Sequence, residues 1–292
     1  MTTAPAPAST AAAPVSSGAA TASAGAYRLS FAHVVHSEWI KFTSVRSTWW
    51  SIGLVAVLSI GLSLLMAVSF ANFGDGAVQS TSVVEANRQA VQVLVFSTVL
   101  TQLLAVVLGT ITVTGEYSTG MIRSTLTAAP GRISALFAKA LVVAVTMFVT
   151  SAVVFAIAAA VATPVLPTGA LQLSDLGSSV MPLLGASLYL AATAVIGVGI
   201  GFIIRNGPGA LAAGIGLVFV APIIVLFFPR LETFQWIHDA ASYLPSNAGQ
   251  SLFMGAPMTG NLLEPVPAAL TLVAWAVVAI AGGLAVLKSR DA

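Results

Sequence analysis

Residues 115–139 read GEYSTGMIRSTLTAAPGRISALFAK and carry Glu116, Arg123, Arg132 and Lys139 in a chain of which only 7% is charged. Both signs of charge, a glycine and a proline between two apolar runs suit a docking surface better than catalysis. The other reactive groups are few. There is no cysteine, which excludes disulfides, thiol nucleophiles and cysteine metal sites. His33 and His36, three apart with Glu38 nearby, imitate a metal pair, but the same spacing fits a solvated helix, and no HExxH occurs. The lysines Lys41, Lys139 and Lys288 follow Ile40, Ala138 and Leu287, so no glycine-lysine phosphate loop exists for ATP. The remaining histidine, His238, lies outside the apolar runs, which leaves a serine within them without a base.

The elements that position these residues follow from composition. The 292 residues are 58% hydrophobic with mean hydropathy +0.99, well above the roughly 45–50% of soluble domains. Such a chain belongs in lipid, where a helix needs about 20 apolar residues to cross. Continuous apolar runs predict all-α spans at 49–71, 93–114, 140–163, 178–204, 209–228 and 267–287. Strand spans would alternate apolar and polar residues instead.

An even number of spans puts both termini on one side. Arg28, Lys41, Arg46, Arg123, Arg132, Lys139, Arg205, Lys288 and Arg290 fall on that side, against Arg88 and Arg230 opposite. The excess makes both termini cytoplasmic, in a plasma membrane. Asp75, Glu85, Asp175, Glu232, Asp239 and Glu264 fall outside, so the pI of 9.2 reflects orientation and not nucleic-acid binding. Residues 1–26, rich in Ala, Pro, Ser and Thr, read as a disordered tail with no evident signal peptide; residues 27–292 form one membrane domain.

Residues 27–47 read as an amphipathic helix on the cytoplasmic surface. Tyr27, Phe31, Val34, Val35, Phe42 and Val45 share a face with Glu38 at its centre. A carboxylate there is costly unless it reaches water or is paired; Arg123 and Arg132 are the expected partners. Trp49 and Trp50 open the first span as interfacial anchors. The stretch 72–92 reads as a short outer loop. Ser97, Thr98, Thr101 and Gln102 in the second span suit interhelical hydrogen bonds, or alternatively a transport path. Residues 205–208 make a tight turn, Gly197 with Gly201 and Ala210 with Gly214 allow close helix approach, and Pro222 is expected to kink the fifth span. The outer segment 229–266 has apolar pieces that suit a partly re-entrant path. The six cores hold no acid or base, which weighs against an ion-coupled carrier.

Glu116, Gly120, Leu126, Pro130, Arg132 and Lys139 resemble the cytoplasmic loop of type-two ATP-binding-cassette (ABC) permeases. The stretch Ser37-Glu38-Trp39-Ile40-Lys41, with residues 44–50 reading SVRSTWW, is similar to the approach to the first span in actinobacterial members, and residues 243–250, YLPSNAGQ, to the stretch before their last span. The uncharged Ser118-Thr119 departs from the pattern. The resemblance implies a connecting helix containing Glu38, Trp39, Lys41 and Arg46, and a short coupling helix between spans two and three. Gly120 and Pro130 would bracket that helix over about residues 119–127. Met121, Ile122 and Leu126 would supply its apolar knob and Arg123 its polar handle.

It also implies two copies of a separate ATPase subunit that binds ATP and Mg, and a second permease copy or close relative. Spans two and five would line the path, with Thr98, Gln102 and Pro222 as candidates. This chain would hold no cofactor and perform no chemistry; the direction implied is export. A secondary transporter without an ATPase, and a membrane anchor or immunity-type binding protein, stay open as alternatives.

Overall fold

The computed structural model describes residues 30–73, 82–122, 124, 132–166, 171, 172, 174–254 and 259–289. Among them every regular element is a helix. Six are long and apolar enough to cross a membrane: Arg46–Asn72, Thr98–Ser118, Ile133–Ala162, Val180–Ile204, Gly207–Leu226 and Pro265–Ser289. The expected tail, Tyr27, Arg123, Leu126 and Pro130 lie outside the described residues.

Helix α1 (Phe31–Ser44) begins at Ser30, whose hydroxyl accepts from the Ala32 amide, and ends where Val45 turns extended. Its buried residues are Val34, Glu38 and Phe42, the centre of the face expected from its periodicity. The first span, α2 (Arg46–Phe73), follows at once. Trp49 Nε1 donates to the Thr43 carbonyl at 2.8 Å, one of the carbonyls that the end of α1 leaves without an intrahelical partner, while Trp50 is exposed.

The expected outer loop 72–92 instead contains a helix, α3 (Val83–Val95), capped by Ser82. The chain breaks at Phe96-Ser97 and resumes as the second span, α4 (Thr98–Ser118). Side chains satisfy the carbonyls at the break. Ser63 Oγ donates to Leu94 O at 2.7 Å and Thr98 Oγ1 to Val95 O at 2.6 Å. A continuous apolar run over residues 93–114 concealed this joint, because hydropathy alone does not register a break whose backbone groups are met by hydroxyls.

The third span, α5 (Arg132–Ala162), starts two turns before the apolar run does. Residues Arg132–Lys139, expected to be loop, are therefore helical. The fourth, α6 (Val180–Ile204), is the central helix, with 78% of its most apolar window buried inside the bundle against 22% for the first span. Small residues let its neighbours reach it. A Cβ on Gly109 of α4 would lie 1.9 Å from Ala194 O, and one on Gly199 would lie 2.4 Å from the Ala279 backbone. Gly197 and Gly201 face Val106, Thr110 and Val113 of α4, and Gly214 faces Val106 as well.

Arg205, at φ +60°, ends α6, and Asn206 caps α7 (Gly207–Ile215). The fifth span continues through a π-turn, Gly216–Val220, into α8 (Ala221–Leu226). Pro222 supplies no N–H to the carbonyl four residues before it, Val218, and its ring crowds that group. The widened turn covers that position, so the expected irregularity takes the form of a π-bulge. Beyond α9 (Gln235–Ala241), the segment between the fifth and sixth spans contains α10 (Pro245–Phe253). All but one of its nine residues are buried, and Gly249 lies against the Tyr189 ring. Asn247 donates to Ala241 O at 2.7 Å and to Thr259 Oγ1 at 2.8 Å. The segment is thus packed by protein along nearly its whole length. The sixth span is α11 (Pro265–Ser289).

Candidate functional site

Three elements meet at one end of the bundle: α1, the last turn of α4 and the first turns of α5. Each contributes a charge. Lys139 Nζ donates to Glu38 Oε2 at 2.6 Å and to Glu116 Oε1 at 2.9 Å. Lys41 Nζ donates to Glu38 Oε1 at 2.6 Å and to Glu116 Oε1 at 3.3 Å. Glu38 is 2% exposed, and Glu116 and Lys139 are each 6% exposed. Two carboxylates and two ammoniums leave the group formally neutral, the condition under which buried charges persist.

Local sequence explains how the four converge. Glu38 and Lys41 are three apart and share a face of α1. Lys139 lies seven residues after Arg132, two turns into α5 and on the same stripe. Glu116 is held inside the last turn of α4 because that helix runs on to Ser118, and Gly120 at φ +74° then turns the chain. Burial pushes the Glu38 carboxyl up, but Lys139 and then Lys41, by charge and hydrogen bond, outweigh it and hold it below the ordinary glutamate value.

Glu38 is therefore paired, and by lysines. Arg132 begins α5, with its side chain outside the description, so neither expected arginine partner is described. Lys139 was legible as a cation of the polar stretch. Its depth depended on α5 starting at Arg132, which its hydropathy does not announce. Trp39, Arg46, Met121 and Ser124 are exposed, whereas Ile122 is 5% exposed. Met121, Ile122 and Ser124 are helical, whereas Thr119 and Gly120 form a turn; the other residues of the short helix expected over about 119–127 lie outside the described residues.

A second contact braces the same end. The Arg205 guanidinium stands 5.3 Å from the centre of the Tyr117 ring and donates to Val286 O at 2.9 Å, which links α4, α6 and α11. Tyr117 also meets Phe202 edge-on at 6.4 Å. Arg205 was legible as a cation and as the first residue of a tight turn, but a left-handed backbone at a non-glycine residue was not.

The residues considered for a path lie elsewhere. Gln102 Oε1 accepts from the Tyr189 hydroxyl, and Gln102 is 4% exposed. Thr98 is 2% exposed and bonds its own preceding turn, and Pro222 is buried behind the π-bulge. Within a single copy these groups are engaged in packing. The described residues contain no group of three or more metal-ligating side chains. No protein-family model and no curated protein matches the chain.

Proposed function

We propose that this chain is the membrane-spanning permease subunit of an ABC transporter, an exporter, working with two ATPase subunits and a second permease copy. The observation that carries the reading is the buried cluster. Glu38 and Glu116, from two separate stretches that resemble the permease pattern, are bridged by Lys139. A displacement of the turn after Gly120 is then transmitted to α1 and α5 together, because breaking any of these contacts strands a buried charge. The third resembling stretch, residues 243–250, runs into α10, which packs against the central span. The chain offers no phosphate loop of its own, so ATP and Mg belong to the partner. On this reading both termini and the Gly120 turn face the cytoplasm of a plasma-membrane protein.

Co-purification tests it. A tagged chain should retain an ATPase bearing a phosphate loop, encoded by a neighbouring reading frame. Substitution of Gly120 by valine should release it while the permease stays folded. Transport that continues with every such ATPase deleted would overturn the proposal.

One observation favours a secondary transporter instead. Glu116 and Lys139 lie within the spanning helices and are buried, and ionisable groups there often mark ion pathways. Collapse of transport by a protonophore, with ATP maintained, would select that reading.

A further inference from the structure

The start of the first span carries donors that the fold leaves unused. Helical serines and threonines commonly give their protons to a carbonyl three or four residues back, as Ser37, Thr43 and Ser44 do in α1. The hydroxyls of Ser47, Thr48 and Ser51, in the first turns of α2, have no hydrogen-bond partner among the described residues. Their spacing puts the three on one side of the helix. Thr48 is only 4% exposed, yet its oxygen, unlike Glu116 Oε2, is not sealed. The backbone adds to the set. Thr48 N donates to Val45 O at 3.1 Å, whereas the amides of Arg46 and Ser47 have no such acceptor.

Charge at this turn has one sign. The N-terminus of a helix is the positive end of its dipole, where acids are favoured and cations are not. The first turn of α2 holds no acid, and Arg46 opens it without an ion-pair partner among the described residues. An anion with several acceptor oxygens would meet the amides, the hydroxyls and this field together.

Ser47, Thr48 and Ser51 line a cavity of about 590 Å³ between α1, α2, α4 and α5, within the range of about 300–1,000 Å³ typical of ligand pockets. Its walls are mainly apolar, with Leu108, Ile111, Val142 and Val143 among them. Ser44, Thr112 and Thr119 also line it, but their protons go to carbonyls of their own helices, so its free hydroxyl donors gather on α2. Glu38 and Glu116 are both held by Lys41 and Lys139, so no unpaired carboxylate there is offered to a ligand ammonium. Trp49 and Trp50 are exposed on the same turn of α2, and tryptophans of this kind sit at the headgroup level of a bilayer. Donors for an anion, apolar walls and headgroup depth coincide.

We propose that the first turn of α2 binds the phosphate of an anionic glycerophospholipid, through Ser47, Thr48 and Ser51, with one acyl chain in the cavity along Ile111 and Val142. The site rests only on the membrane reading and stands whether or not an ATPase docks nearby.

The test titrates lipids onto the full detergent-solubilised chain and counts bound copies by native mass spectrometry. Dioleoylphosphatidylglycerol should bind about tenfold or more tighter than dioleoylglycerol, which has the same chains and no phosphate. It should also bind tighter than dioleoylphosphatidylcholine, whose ammonium finds no free acid. The combined variant Ser47→Ala, Thr48→Val and Ser51→Ala should lose about tenfold in phosphatidylglycerol affinity and keep its affinity for dioleoylglycerol. If that variant fails to fold, Ser47→Ala with Ser51→Ala, both substitutions that favour a helix, should still narrow the preference. A phosphatidylglycerol with a diazirine on its acyl chain should label peptides containing Ile111 and Val142. Equal binding of phosphatidylglycerol and either other lipid, or an undiminished preference in the variants, would overturn the proposal. So would labels spread evenly to exposed Val57 and Val277, or displacement of the lipid by inorganic phosphate, which would mark a site for free anions instead.

Discussion

Glu38 occupies the middle of an otherwise apolar helix face, and its neighbours make that position tenable. Lys139 approaches one oxygen and Lys41 the other, each at 2.6 Å. Removing one partner leaves a buried charge, so Lys139→Met should lower stability by about 3–5 kcal/mol, read as thermal unfolding of the detergent-solubilised chain. The double variant Glu38→Leu with Lys139→Met should lose far less, because Lys41 and Glu116 can still pair. A double-mutant cycle reports the difference. The cluster also predicts an acid response. The Glu38 carboxyl is held below its ordinary value near 4.5, so its contribution is fully present above that value and is lost as pH falls through the lower folded one. The stability gap between wild type and Glu38→Gln should therefore be constant from pH 7 to 5 and close below about pH 4.

At the scale of elements, contact between spans runs through glycines. Gly109 of α4 has backbone oxygen where a Cβ would stand, and a Cβ on Gly249 of α10 would lie 2.2 Å from the Tyr189 ring. Neither neighbour yields easily, so Gly109→Ala and Gly249→Ala should each destabilise by about 1–3 kcal/mol or more. Gly53 on α2 has nothing within 4 Å, and Gly53→Ala should be neutral or stabilising by up to about 1 kcal/mol. Thermal unfolding of the three variants side by side distinguishes packing glycines from incidental ones. The pairing of Gly197 with Gly201 was visible in sequence; that both meet α4 was not, because the spacing states that a face is small without naming its partner. The same limit applied to α3 and α10. Their short patterns lacked the length of a span, so α3 read as loop and α10 as part of a longer re-entrant segment, although α3 is buried along one side and α10 over all but one of its residues.

For the molecule as a whole, the proposed orientation makes a direct prediction. The chain has no cysteine, so single introduced thiols report their side cleanly. Ser124→Cys and Ser289→Cys should react with an impermeant maleimide only from the cytoplasmic side. Val84→Cys and Leu262→Cys should react only from outside. All four positions are exposed at the two ends of the bundle. Labelling of Ser289→Cys from outside would reverse the assignment and move the Gly120 turn away from any cytoplasmic ATPase.

That this is a helical chain with six apolar spans was legible from its residues alone, because hydrocarbon admits only segments that satisfy their own backbone, and the helix length needed to cross is readable in one dimension. Also legible was that Glu38 needs a partner if it lies on a buried face. Which partner it has follows from the packing of the helices. Lys139 is 101 residues away, and its approach depends on where α5 begins and how closely α1 packs against it. That choice turns on three-dimensional distance between helices, whereas hydropathy records only what each helix buries.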